Sequence, residues 1–278
     1  VIGENKAVED LTFVVTGASS GVGLAAAEEF ARRGARVVVV GRNPDRLASA
    51  VSKVREAGGS DPDQFRADFD RLDDVRTLAA HLLDRYEKID VLANNAGGLV
   101  PKLVSTVDGY ESTIQGNHLA PFLLTNLLRE RLRGGRVVNT ASDAHRGSVV
   151  DPDNLTGAGR RYSAFGTYGA SKAANILFAA EAGRRWPDIL STSYHPGVVR
   201  SRFGSGSPVI SLFYKITPFL VTPAGGADTM VWLATTDASE VTQGGYYVKR
   251  KLRQPAPAAA DPDLAARLWE ASAKAVGL

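Results

Sequence analysis

Short β-branched runs such as "LTFVVT", "RVVVV" and "RVVNT" recur along the chain and alternate with longer amphipathic stretches. A run with no polar face has to be buried on both sides, and the helical stretch that follows supplies the cover. That alternation predicts an α/β fold of the doubly wound, Rossmann type, a mostly parallel sheet of seven strands with helices on both faces. The strands read as residues 11–16, 36–40, 64–67, 89–94, 136–140, 190–195 and 245–248. Between them, "GLAAAEEFARRG" closes on Gly34, and "NPDRLASAVSKVREAGG" carries Pro44 near its start and Gly58 past its end. With 278 residues, 44% of them hydrophobic, the chain can bury one large core, and a single domain over 1–278 is expected.

Two segments break the rhythm. Residues 148–161 are polar and rich in Gly and Asp, a loop after the fifth strand. Residues 202–223 mix Gly, Ser and Pro with an apolar series from Val209 to Val221. Beyond "QPAPAAADP", Asp261 as N-cap and Pro262 as first helical residue open a final helix to about residue 275.

Charge and composition narrow the function classes. The 33 basic and 30 acidic residues are interleaved, which gives no clustered basic face for a nucleic acid. The one dense run, "KRKLR" from Lys249 to Arg253, reads as a solvated strand end. There is no cysteine, which excludes disulfides, thiol chemistry and cysteine-ligated metal and is compatible with a reducing, cytoplasmic compartment. No apolar run approaches the roughly 18 residues of a membrane span, and "VIGENKAVEDL" lacks a secretory pattern, so a soluble protein is expected.

The stretch "VVTGASSGVG", residues 14–23, fits two chemistries. Gly17-Ala18-Ser19-Ser20-Gly21 spells the G-x-S-x-G elbow of a serine hydrolase, but Ser19 follows the first strand and lacks a late acid and histidine loop. Alternatively, Gly17, Gly21 and Gly23 form a turn whose bare backbone approaches a dinucleotide pyrophosphate at a helix N-terminus. The second strand then ends in Gly41-Arg42-Asn43, with no acid where NAD sites place one. A guanidinium there suits the 2′-phosphate of NADP, the favoured cofactor, with NAD possible.

"YGASK" sets Tyr168 and Lys172 four residues apart on a helix, so both emerge on one face. Tyrosine ionises near pH 10 and becomes a useful acid or base at neutral pH only beside a positive charge, which Lys172 supplies. Ser142, at the end of the fifth strand, lies at the sheet edge where such folds bind ligands. Tyr247 and Lys251 share the spacing, but on a strand four steps separate residues by about 13 Å.

Taken together, "TGASSGVG", "NNAG" (Asn94 to Gly97), Asn117, Ser142 and Tyr168 with Lys172 make the chain resemble a short-chain dehydrogenase/reductase from about Leu11 to Val248. The resemblance implies that Tyr168 gives or takes a proton while hydride passes between nicotinamide and substrate carbon. Ser142 would orient the substrate oxygen, Lys172 would hold the nicotinamide ribose, and Asn117 would anchor a water in the proton relay. It implies cofactor contacts from Gly17, Ser19, Ser20, Gly21, Val22 and Gly23, from Arg42 and Asn43, and from Asp68 and Phe69 at the adenine. Asn95, Ala96 and Gly97 would add main-chain contacts, and "HPGVVRS" would close on the nicotinamide through Pro196, Gly197, Val199 and Ser201. The long loop before Tyr168, "SDAH" and "HPGVVRS" are similar to the retinol dehydrogenase-like branch, which implies NADP and a small lipophilic carbonyl or alcohol. Many relatives pair through the helices bearing Asn117 and Tyr168, so a homodimer or homotetramer is possible. The apolar series at 209–221 is placed to act as a lid, and peripheral membrane contact is a lesser expectation. A non-catalytic, NADP-binding protein of the same fold is the alternative from another class.

Overall fold

The computed structural model describes residues 8–58, 60–159, 161–199 and 220–278. Its centre is one sheet in the order β3-β2-β1-β4-β5-β6-β7-β8. The strands are β1 (Thr12–Thr16), β2 (Arg36–Gly41), β3 (Asp63–Arg66), β4 (Val91–Asn94), β5 (Arg136–Thr140), β6 (Leu190–His195), β7 (Tyr246–Val248) and β8 (Lys251–Arg253). The first seven run parallel, and every residue of β1, β4 and β5 is buried, the polar Arg136, Asn139 and Thr140 of β5 included. β1 pairs with β2 on one side and β4 on the other, so the order of strands reverses there and opens a crevice at their C-terminal ends.

The helices are α1 (Gly21–Arg32), α2 (Pro44–Gly58), α3 (Leu72–Arg85), the short α4 (Ser112–Ile114), α5 (Ala120–Leu127), α6 (Ala164–Arg185), α7 (Pro223–Thr235) and α8 (Pro262–Val276). A π-helical turn, Gln115–Leu119, joins α4 to α5. One face of the sheet packs on α1, α2 and α7 through Phe13, Phe30, Val54, Met230 and Tyr247. The other packs on α3, α5, α6 and α8 through Leu78, Phe122, Phe178 and Trp269.

The C-terminal helix is built as its sequence predicts. Asp261 accepts from the Asp263 and Leu264 N–H groups, Pro262 occupies the first turn, and Gly277 closes it at φ +71°. Trp269 stands 5.0 Å from the Phe122 ring, 5.7 Å from Phe178 and 5.0 Å from Trp186. The outer sides of α5 and α6, where related chains were expected to pair, are therefore partly occupied by the chain's own last helix.

Three expectations need correcting. The sheet has eight strands, because the basic run does not end a strand: Lys249 and Arg250 take left-handed backbone (φ +52° and +60°) and turn the chain back as antiparallel β8. Tyr247 and Lys251 accordingly lie on adjacent strands rather than along one, and Tyr247 is buried, its hydroxyl accepting from the Thr242 N–H at 2.7 Å. Boundaries also shift by one or two residues, with β4 beginning at Val91 rather than Ile89 and α2 running through Gly58.

Candidate active site

The crevice starts at the glycine turn. Gly17 has φ +66°, and a Cβ there would fall 2.7 Å from the Ala96 Cα, so both the turn and its approach to the "NNAG" loop require glycine. The Thr16 hydroxyl binds that loop by accepting from the Asn95 and Ala96 N–H groups at 3.0 Å each. The Asn95 amide donates to the Thr16 carbonyl at 3.0 Å, which leaves the main chain of Asn95 to Gly97 along the crevice. Ser20 caps α1 without a side-chain hydrogen bond, so the first N–H groups of the helix and its positive end are not claimed by a hydroxyl. A turn of this kind fits the pyrophosphate of a dinucleotide.

Where β2 ends, the Ala18 N–H donates to the Val40 carbonyl and draws the glycine turn toward Arg42. The Arg42 guanidinium is 60% exposed and lies 3.4 Å from Asp68 and 3.6 Å from Asp70. Burial pushes the Asp70 carboxyl above its usual range, despite a hydrogen bond from Ser112. Asn43 caps α2 by accepting from the Arg46 N–H at 2.9 Å, and Phe69 is buried behind Asp68. Arg66 escaped the sequence reading. Its position follows from the register Gly41↔Arg66, and its Nε donates to the Arg42 carbonyl at 3.2 Å, which adds a second guanidinium to this end of the crevice.

The other end gathers Asn117, Ser142, Tyr168 and Lys172. Lys172 is buried on α6 and donates to the Thr140 carbonyl at 3.1 Å, beside Asn175, which donates to the same oxygen at 3.0 Å. Its Nζ stands 5.4 Å from the centre of the Tyr168 ring. Removal from water lowers the Lys172 pKa to about 8. A Cβ on Gly97 would lie 2.7 Å from Asn117 Oδ1 and 3.4 Å from Lys172 Nζ, so the loop, the π-turn and α6 meet at one point.

Ser142 caps the short 3-10 turn Asp143–Gly147, its hydroxyl oxygen accepting from the Ala144 N–H at 3.2 Å. The hydroxyl proton is thereby left for another acceptor. The turn rests on α6 beside Tyr168, because Gly169 lets the Ala144 carbonyl come within 2.6 Å of where a Cβ would stand.

Asn117 sits in the π-helical turn, and its side chain is hydrogen-bonded within the protein. Its Oδ1 accepts from the Gly98 N–H at 2.8 Å, and its Nδ2 donates to the Gly98 carbonyl and to Ser171 Oγ, each at 2.9 Å. Ser171 in turn donates to the Tyr168 carbonyl at 2.7 Å. With both amide protons committed, the side chain ties the "NNAG" loop to the tyrosine's helix.

Pro196, Gly197 and Val199 follow β6, where Val199 bridges Val221 and the Val221 N–H donates to the Val198 carbonyl at 2.9 Å. Ser201 and most of the expected lid, residues 202–219, lie outside the described residues. Thr140, Ser171 and His145 also went unread in the sequence, since they act through partners distant along the chain.

Residues 11–206 match a family described as short chain dehydrogenase. The chain belongs to the short-chain dehydrogenase family. It is 55% identical over 266 residues, 96% of this chain and 92% of the relative, to a Streptomyces sp. (strain C5) protein named as a daunorubicin C-13 ketoreductase, DnrU. Retinol dehydrogenase 12 of Mus musculus is 35% identical over 281 residues, covering 99% of this chain and 89% of the relative. A short chain dehydrogenase from Escherichia coli CFT073, solved in complex with NADPH, superposes with a TM-score of 0.69 at 28% identity, covering 87% of this chain and 97% of its own. As a short-chain dehydrogenase, this chain is an NAD(P)-dependent oxidoreductase acting on a CH–OH or carbonyl group. Among the described residues, no helix is long and apolar enough to cross a membrane.

Proposed function

We propose that the chain is an NADP(H)-dependent reductase of a lipophilic ketone or aldehyde, with Tyr168 as the proton donor. The observation that carries this is the buried ammonium of Lys172 at 5.4 Å from the Tyr168 ring centre, with no carboxylate paired to it among the described residues. A positive charge in that place favours the phenolate, and so makes the phenol a stronger acid. The Ser142 hydroxyl, oriented by the Ala144 N–H, donates to the substrate oxygen and stabilises its growing charge. Asn117 and Ser171 fix the tyrosine's turn of helix against the loop that lines the crevice. Gly17 to Gly23, Asn95 to Gly97 and Pro196 to Val199 would hold NADPH, which when bound would supply the hydride. The whole of 1–278 acts as one catalytic unit.

Preference for NADP rests on Arg42, with Arg66 behind it, and is supported by relatives solved with NADP or NADPH. A phosphate would replace Asp68 and Asp70 as the partner of Arg42. Arg42→Ala should weaken NADPH binding about tenfold or more and leave NADH binding unchanged, as read by fluorescence titration. A lipophilic substrate is supported by exposed Phe165, one turn ahead of Tyr168, and by exposed Val198 beside Gly197. The names of the relatives, a daunorubicin ketoreductase and retinol dehydrogenases, point the same way.

The deciding experiment follows NADPH oxidation with decanal, benzaldehyde and α-tetralone. Tyr168→Phe should lower kcat by about 10²- to 10⁴-fold while NADPH still binds. Equal rates for the two proteins, or no turnover of any of the three carbonyls, would refute the proposal.

A further inference from the structure

One buried imidazole next to Ser142 has no part in the proton or hydride transfer. His145 has 0% of its surface exposed. Its Nδ1 donates to the Ser142 carbonyl at 2.7 Å, and its own main-chain N–H donates to the same oxygen at 3.1 Å. On the far side of the ring, Nε2 accepts from the Ala256 N–H at 3.0 Å. A carbonyl can only accept and an N–H can only donate, so these partners select the neutral ring with its proton on Nδ1. Burial agrees, since it pushes the His145 pKa below its ordinary value.

The ring is held edge-on to Tyr246 at 5.1 Å, and the Tyr246 hydroxyl donates to Asp143 at 3.0 Å. Ala256 begins the segment that leads through Ala259 into the last helix. Ala259 packs in a small cluster with Ala141, Ala173, Ile176 and Tyr246, and two of these are the chain neighbours of Ser142 and Lys172. Arg146 adds a bond to the Gln254 carbonyl at 3.2 Å.

We propose that His145 is a positioning residue for Ser142: its Nδ1–H holds the Ser142 carbonyl and so sets where the serine hydroxyl points, while the Ala256 N–H on Nε2 only seats the ring. The inference rests on the assignment of Ser142 as the hydroxyl that meets the substrate oxygen. Two hydrogen bonds on one carbonyl fix the peptide between Ser142 and Asp143. Releasing the imidazole bond leaves that peptide to turn about the Ser142 Cα–C bond, and the 3-10 turn that orients Oγ through Ala144 turns with it. Small displacements of this sort act on kcat more than on cofactor binding.

Two amide substitutions separate the two ends of the clamp. In His145→Asn the side-chain nitrogen takes the place of Nδ1 and keeps the bond to Ser142, whereas in His145→Gln the amide reaches the place of Nε2 and keeps the bond to Ala256. With NADPH and a carbonyl that the unaltered protein reduces, His145→Asn should hold kcat within about threefold, and His145→Gln should lose about 30-fold, with NADPH affinity unchanged in both. His145→Gln matching His145→Asn in kcat, or kcat losses that merely follow the fall in thermal midpoint, would overturn the clamp. Ser142→Ala, measured alongside, keeps the two claims apart: full activity there sinks the assignment of Ser142 itself, while an inactive Ser142→Ala with equal amide variants sinks only the role of His145.

Discussion

The two halves of α6 treat a buried charge in opposite ways. Near its start, Lys172 is buried against the Thr140 carbonyl and the face of Tyr168, and burial brings its pKa down to about 8. Nine residues on, Glu181 is buried too, but Arg184 and Arg185 each donate to it at 2.7 Å. Burial pushes the Glu181 carboxyl up, and the hydrogen bonds from Arg185 and Arg184 overcome it and leave the group below its usual value. Arg185 continues to Glu270 at 2.9 Å and lies 4.8 Å above the Trp269 ring, which fastens the last helix to α6. The helix thus neutralises the charge that fastens the last helix and leaves unneutralised the one proposed to serve the reaction, a division expected where a perturbed group has a chemical role.

The largest effect should come from removing the unpaired charge. Lys172→Met should cut kcat by about 10²- to 10⁴-fold in the NADPH oxidation assay, since the tyrosine loses its neighbouring cation. The same substitution should raise stability. Lys172 titrates near 8 in the folded chain against 10.5 unfolded, so the unfolded chain binds the proton more tightly and the penalty on folding is complete below pH 8. That penalty is on the order of 3 kcal/mol and fades as pH rises from about 8 to 10.5. Urea unfolding should therefore show Lys172→Met more stable than the unaltered chain at pH 7, with the gap narrowing by pH 9.5; a less stable variant at both would break the contrast.

Glu181→Gln should do the reverse. Its arginine partners are 48% and 35% exposed, so solvent screens the pair and the loss of stability should be about 1 kcal/mol, with kcat within about twofold. A drop in kcat equal to that of Lys172→Met would show that the two halves of the helix are not separable. The smallest signal is an alkaline limb: in the absence of saturating cofactor, kcat/KM should decline as pH passes about 8 and Lys172 loses its proton, and the limb should disappear in Lys172→Met.

Most of the sheet could be read from the chain because burial on both faces leaves a mark in every residue of β1, β4 and β5. The pairing of Tyr168 with Lys172 was readable for a similar reason, as a helix places residues four apart on one side. β8 was not, because its turn needs two non-glycine residues in left-handed backbone, which local preference argues against. Arg66 could have been found from the register of β2 with β3, but sequence alone does not fix register. His145 was out of reach altogether: its partner Ala256 is 111 residues away, and nothing in "SDAH" announces it. The same holds for the tie that the Asn117 side chain makes between loop and helix, since its partners Gly98 and Ser171 lie 19 and 54 residues away.

β8 also bears on how the molecule behaves in a crowded solution. A sheet that ends in a long apolar strand offers its open row of amides and carbonyls to any passing chain. Here the terminal strand is three residues long, fully exposed, and carries Lys251 and Arg253, while the opposite margin, β3, bears Asp63 and Arg66. On the β8 rim the like charges of Lys251 and Arg253 repel the same strand of a second copy brought alongside, so the "KRKLR" run that attracts no assigned ligand guards that margin against strand-by-strand aggregation.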